Sequence, residues 1–167
     1  MRYASIKKND IANGPGVCVS FFAQGCPHRC SGCFNPETWD FNGGKEFTSE
    51  TMNTILDALT ANGIHRDLNI LGGEPLCKPN DSLTAYVIKT VKEKLPQTKI
   101  YIWTGYLYEE LLAQAETNVN IDYILKTANY LIDGPFVLTQ KDLTLQMRGS
   151  RNQRIVNLTN KKFYDKI

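Results

Sequence analysis

Cys26, Cys30 and Cys33 set three thiols at C-x3-C-x2-C spacing, close enough for one loop to wrap them around a single inorganic centre. A [4Fe–4S] cube has four irons, each wanting a thiolate, so three local cysteines leave one iron open. An open coordination position separates a catalytic metal centre from a closed structural one. The same spacing also admits zinc, because its C-x2-C half matches zinc knuckles, with His28, Cys18 or Cys77 as the fourth ligand. A plain electron-carrying ferredoxin fits less well, since its runs supply four ligands.

The sequence Leu71-Gly72-Gly73-Glu74-Pro75 is a second candidate. It closes an apolar run, and two glycines let the backbone approach a ligand ammonium without a Cβ in the way. Alone, such a turn is more often a simple strand-to-helix connection. Gly25 and Gly32 allow tight turns beside the cysteines, where backbone N–H groups can point at sulfur.

These residues need a scaffold, and the pattern of the chain supplies one. Val17 to Ala23 is a β-branched and aromatic run that reads as a buried strand, so the cysteines begin where a first strand ends. Thr48 or Ser49 caps a helix with Met52, Ile55, Leu56 and Leu59 on one face, stopped at Gly63. Leu68 to Leu71 is a second strand, and the helix opening at Pro79-Asn80-Asp81 carries Leu83, Val87, Val91 and Leu95 before Pro96 ends it. Lys99 to Trp103 is a third strand, Glu109 to Ala115 a helix and Asn129 to Ile132 a fourth strand. Residues 136–167 read poorly apart from a strand over Arg154 to Leu158. Strands alternating with helices imply βαβ crossovers and a mostly parallel sheet. A closed eight-unit barrel takes about 250 residues, roughly 30 per unit. The 167 residues here therefore allow about five units, an α/β open partial (β/α) barrel in one domain over 1–167.

Composition narrows the partners. With 19 basic and 17 acidic residues the net charge is +2, which offers no broad basic surface for nucleic acid or an anionic membrane. Lys7-Lys8 and Lys161-Lys162 read as solvated ends. The N-terminal residues lack the apolar core of a secretion signal, and no stretch approaches the roughly 20 apolar residues of a membrane span. A cytoplasmic location is expected, and in a reducing compartment an odd number of cysteines, five, argues against a disulfide framework.

With Phe34 following the third cysteine, the signature resembles the radical S-adenosylmethionine superfamily. The resemblance implies that Cys26, Cys30 and Cys33 hold the [4Fe–4S] cluster and are the catalytic ligands. It further implies that Gly32, Cys33, Phe34, Gly72, Gly73 and Glu74 bind S-adenosyl-L-methionine, with Phe34 near the adenine and the Gly-Gly-Glu turn cradling the amino group. Further stretches resemble the family of activating proteins of anaerobic (class III) ribonucleoside-triphosphate reductases. They are Asn13 to Gly16, Gly25 to Asn35 with Thr38-Trp39, Gly72 to Pro75, Trp103 to Tyr106, Leu131 to Gly134 and Arg148 to Gln153. That resemblance implies a protein substrate, the large reductase subunit, which receives a glycyl radical, and reduced flavodoxin or a similar electron donor. Thr104 could then reach a ribose and Asp133 the cosubstrate or target loop, while Arg148, Arg151 and Arg154 could face the partner. Other small radical enzymes, such as the deazaguanine-forming synthases or pyruvate formate-lyase activases, share the superfamily features.

Overall fold

A computed structural model describes residues 1–166. The strands are β1 (Arg2–Asp10), β2 (Cys18–Ala23), β3 (Lys45–Glu46), β4 (Asp67–Gly72), β5 (Ile100–Trp103), β6 (Tyr130–Asp133), β7 (Arg154–Asn157) and β8 (Lys162–Tyr164). The helices are α1 (Ser49–Thr60), α2 (Asn80–Lys94), α3 (Tyr108–Ala115) and α4 (Val119–Thr127). The strands form one mixed sheet in the order β3-β1-β2-β4-β5-β6-β7-β8. β2, β4, β5 and β6 run parallel, and every other pairing is antiparallel.

The α/β expectation holds, but a mostly parallel sheet of about five units does not. Only the four central strands are parallel, joined by three helical crossovers, and two antiparallel strands flank them on each side. The difference lies in segments whose sequence carries no apolar run. β1 reads RYASIKKND, mixes polar residues on an exposed strand, and shifts register twice against β2. The lysines at 7 and 162 that read as solvated ends lie within β1 and β8. The fourth helix also escaped the sequence pattern, although Asn118 caps it, accepting from the N–H groups of Asn120 and Ile121. Its buried Ile121, Ile124 and Leu125 fall at i, i+3 and i+4.

Alternation along the strands divides the core in two. Val19 and Phe21 of β2, Leu68 and Ile70 of β4, and Ile100 and Ile102 of β5 pack with Met52, Ile55, Leu59, Val87, Ile88, Leu111 and Ile124 from the helices. The intervening residues turn the other way. Tyr101 joins Ile132 and Ile155 in a smaller cluster, with Trp103, Tyr130 and Met147 packed against it. Helices thus cover one face of the parallel strands, and loops cover the other.

Arg66, rather than neighbouring His65, serves the C-terminus of α1. Its Nη1 donates to the carbonyls of Ala58, Ala61 and Ile64 at 3.3, 2.9 and 3.0 Å, satisfying acceptors a helix end leaves open. At the far end of the parallel set, the wholly buried Asp133 closes β6. It accepts from Arg154 Nε at 3.0 Å, from Arg154 Nη2, and from the Tyr108 N–H at the start of α3 at 2.8 Å. Arg154 continues outward to the exposed Glu109.

Because Asp133 is fully buried, Arg154→Met leaves its carboxylate facing one backbone N–H. The expected loss is about 3–5 kcal/mol, whereas Glu109→Gln at the solvent end should cost under about 1 kcal/mol. Chemical denaturation of the two variants checks the ranking, and equal losses would contradict it.

Candidate active site

The C-terminal ends of the parallel strands surround one cavity of about 540 Å³. Cys26, Cys30 and Cys33 all line it, together with Phe34, the Gly72 to Glu74 turn and Thr104. Ligand sites in parallel α/β folds collect at this edge, where the chain turns from strand to helix.

The cysteine loop is fixed at both ends by backbone pairing. Gly25 N–H donates to Thr38 O at 2.7 Å and Cys26 N–H to Trp39 O at 3.2 Å, which closes the loop onto residues 38–39. Within it, Cys33 N–H reaches Cys30 O at 3.1 Å and Asn35 N–H points at Cys33 Sγ at 3.4 Å. Arg29 and Gly32 both take positive φ, 47° and 73°. A Cβ on Gly32 would sit 2.8 Å from Leu138, so this glycine serves the close packing of the loop. Gly32 is not among the residues that line the cavity, whereas Cys33 and Phe34 are. Phe34 is 54% exposed, its ring 5.0 Å from Phe136. It is therefore a wall of the cavity mouth, not core.

The turn after β4 is held against this loop. Gly73 N–H donates to Ala23 O at 2.9 Å and Glu74 N–H to Gly25 O at 2.8 Å. A Cβ at Gly73 would lie 2.5 Å from Gly25 O, so only glycine permits the approach. Glu74 is 1% exposed, and its carboxylate has four partners. Oε1 accepts from Thr104 Oγ1 at 2.8 Å and Leu76 N–H at 2.9 Å; Oε2 accepts from Gly105 N–H at 2.7 Å and pairs with His28 Nε2 at 2.9 Å. Asn80 adds three carbonyl contacts, donating from Nδ2 to Gln24, Gly25 and Glu74.

Sequence alone showed no carboxylate partner for His28; the fold brings Glu74 to it across 46 positions. The hydrogen bond from Glu74 raises the His28 pKa against its burial. Tyr106 packs edge-on against the ring at 4.6 Å, and a Cβ on Gly105 would strike it at 2.5 Å. Thr104 and Asp133 were candidates for the cosubstrate, yet both side chains serve internal bonds, to Glu74 and to Arg154. Trp103 donates from Nε1 to Met147 O at 2.7 Å and lines the cavity. Arg148, expected from the sequence to face a partner, lines the cavity instead, as does Gln153, which had no assigned role. Gln153 has a local signal only in retrospect: its amide accepts from the Gly149 and Ser150 N–H groups and donates to Gly134 O, organising the loop that carries Arg148.

The donor set suits a four-iron cluster better than one ion. Each residue that could have supplied zinc's fourth ligand is engaged elsewhere. Cys18 is fully buried in β2, its thiol 3.5 Å from Pro15 O, and burial pushes it up to about 11. Cys77 donates to Glu74 O at 3.2 Å and is pushed by burial up to about 12. His28 is held by Glu74. The three thiols line one cavity, a donor set that matches the three-cysteine ligation of a four-iron cluster. Burial raises the Cys26 thiol pKa, a shift that bound iron would reverse by holding the thiolate.

Residues 12–156 match the family model described as a 4Fe-4S single cluster domain. The chain is also similar to relatives that carry the name anaerobic ribonucleoside-triphosphate reductase-activating protein. The Salmonella typhi protein is 38% identical over 159 residues, 95% of this chain and 99% of the relative. The Escherichia coli K12 protein is 37% identical over the same shares. The protein of Enterobacteria phage T4 is 35% identical over 93% of each chain.

Replacing Glu74 by Gln turns an acceptor-only group into one that presents N–H to donors on every side. A loss of roughly 1–3 kcal/mol is expected from the group left unsatisfied, with Thr104→Val costing less because three donors to the carboxylate remain. Thermal unfolding of the purified variants tests the order; a Glu74→Gln protein as stable as the parent would contradict the four-donor reading.

Proposed function

The chain belongs to the family of anaerobic ribonucleoside-triphosphate reductase-activating proteins, and from that premise we propose that it generates a glycyl radical on such a reductase through reductive cleavage of S-adenosylmethionine. The observation that carries the reading is one cavity at the parallel strand ends, lined by all three cysteines, Phe34 and the Gly72 to Glu74 turn. When bound, the [4Fe–4S] cluster supplies the electron that cleaves S-adenosylmethionine to methionine and, after hydrogen abstraction, 5′-deoxyadenosine. Cys26, Cys30 and Cys33 are the residues that hold it, and three thiolates for four irons leave a position for the cosubstrate. Gly72 and Gly73 give that cosubstrate a backbone without side chains. Glu74 contributes by fixing the turn, since its carboxylate is committed to four donors. Phe34 and Phe136 offer an apolar wall for the adenine, and Gly32 lets the cysteine loop pack against Leu138.

We read the sheet as the wall of an open partial barrel of radical-enzyme type in a single domain. Helices back one face of the wall, and the cavity lies at the edge of the other. The support is the exposed apolar rim: Phe34 and Leu143 line the cavity at 54% and 74% exposure. A radical must be kept from solvent hydrogen donors, and a docked reductase segment covering that rim would complete the enclosure. Reduced flavodoxin, or a donor of similar chemistry, fits the need for one electron. A cytoplasmic setting fits the oxygen-sensitive cluster and thiols, and the net charge of +2 gives no reason to invoke nucleic acid. No described helix is long and apolar enough to cross a membrane.

Anaerobic reconstitution should give brown protein with about four irons per chain. With a strong reductant it should convert S-adenosylmethionine to methionine and 5′-deoxyadenosine, and Cys30→Ala should abolish this. Adding the cognate reductase should produce a glycyl-radical EPR doublet. Cleavage that survives in Cys30→Ala, or a reductase that stays radical-free, would overturn the proposal.

A further inference from the structure

The mouth of the cavity carries positive charge that the chain itself leaves unanswered. Lys7, on β1, lines the cavity, and its Nζ lies 5.1 Å from the centroid of the Phe22 ring. Lys141, in the loop between β6 and β7, holds its Nζ 5.3 Å from the centroid of the Phe34 ring, itself part of the cavity wall. Two segments far apart in sequence thus bring an ammonium to one opening, each over an aromatic face that attracts it. Both lysines are exposed, and among the described residues neither has a carboxylate within ion-pair distance.

The acids nearby are engaged elsewhere. Asp142 follows Lys141 in the chain but accepts from Arg151 Nε at 3.1 Å and from Thr144 Oγ1 at 2.6 Å. Asp10, at the end of β1, is buried and accepts from the Ala12 N–H at 2.9 Å and from Asn13 Nδ2 at 2.8 Å. Glu74, the one carboxylate lining the cavity, already has its four partners. The same rim is apolar as well. Phe34 and Leu143 line it exposed, and Ile11, next to Ala12 and Asn13 of the wall, is 79% exposed. Apolar surface of this kind is buried when a partner docks, while unpaired cations beside it select the partner's charge and register.

We propose that Lys7 and Lys141 form a charged rim that docks an acidic stretch of the protein substrate over the cavity, with carboxylates of that substrate opposite the two ammonium groups. The inference deepens the reading of the substrate as a protein and rests on it. The apolar residues of the rim would cover the opening, and the lysines would set where the segment sits.

The test follows glycyl-radical formation by EPR as the concentration of the cognate reductase is varied, using the anaerobically reconstituted holoenzyme and a strong small-molecule reductant. The reductase concentration that gives half the maximal rate should rise about tenfold in Lys7→Glu/Lys141→Glu and about threefold in Lys7→Gln/Lys141→Gln. Cleavage of S-adenosylmethionine without reductase should stay within about twofold of the parent in both. Raising the salt from about 0.05 to about 0.3 M should raise half-saturation for the parent, and less for the glutamate variant. If the glutamate variant does not fold, the glutamine variant carries the test. Half-saturation unmoved in the folded variants, or insensitive to salt in the parent, overturns the assignment. A basal cleavage that falls as far as the reductase-dependent rate also overturns it, since the lysines would then serve the cosubstrate. Binding of the parent to phosphatidylserine vesicles that is lost in the variants, with half-saturation by the reductase unmoved, would give the rim to a membrane and overturn it too. A parent that cleaves S-adenosylmethionine yet leaves the reductase radical-free defeats the proposed substrate and this inference together. A parent that forms the radical, with indifferent lysine variants, defeats only the inference.

Discussion

One buried carboxylate organises the site. Glu74 receives donors from its own turn after β4 and from two distant segments, the end of β5 and the cysteine loop, 30 to 46 positions away in sequence. None of these segments could hold its conformation alone, because each is a loop with backbone groups that need partners away from water. The carboxylate supplies acceptors to all three at once. Around a carboxylate as buried as Glu74 such bonds are strong, and an incomplete set would cost more than an apolar contact. The glycines at 73 and 105 follow from the same constraint, since a Cβ at either would strike the carbonyl of Gly25 or the ring of His28.

Asp133 does on β6 what Glu74 does after β4. It ties its strand end to β7 through Arg154 and to the first N–H of α3, in the position of a helix cap supplied from another strand. Together the two acids brace the edge of the sheet where the strands give way to loops. A catalytic constellation needs such support, because its geometry has to be fixed by groups that do no chemistry themselves. Thr104, His28 and Asn80 belong to this support, and their side chains are accounted for within it. The residues that line the cavity beside this support include the three cysteines, the glycines at 72 and 73, and Phe34 and Phe136.

The two faces of the sheet explain why the cavity lies where it does. Alternation sends Val19, Phe21, Ile70 and Ile102 to the helices. Residues between them face a side covered by loops, where Gly14 rests against Asn69 and Met147 against Tyr101 and its neighbours. Loops pack less completely than helices, so space is left at the strand ends. The rim of that space keeps Phe34 and Leu143 exposed, an arrangement that costs a monomer hydrophobic burial and suits a partner.

The chemistry was legible in sequence because it is local. Cys26, Cys30 and Cys33 share one short loop after a β-branched and aromatic strand, and the Gly-Gly-Glu turn follows a strand marked by Leu68, Ile70 and Leu71. The central strands and α1 to α3 were legible for the same reason, since burial on one or both faces leaves a period that can be read. The flanking strands β1, β3 and β8 were not, because an antiparallel strand half exposed to solvent need carry no apolar run, and their pairing is set by neighbours rather than by their own residues. The roles of Glu74, His28, Thr104 and Asp133 belonged wholly to the tertiary structure. Whether a buried polar group faces a ligand or another residue depends on which donors the fold delivers to it. Four donors converge on Glu74, and that fact is encoded within no single window of the chain.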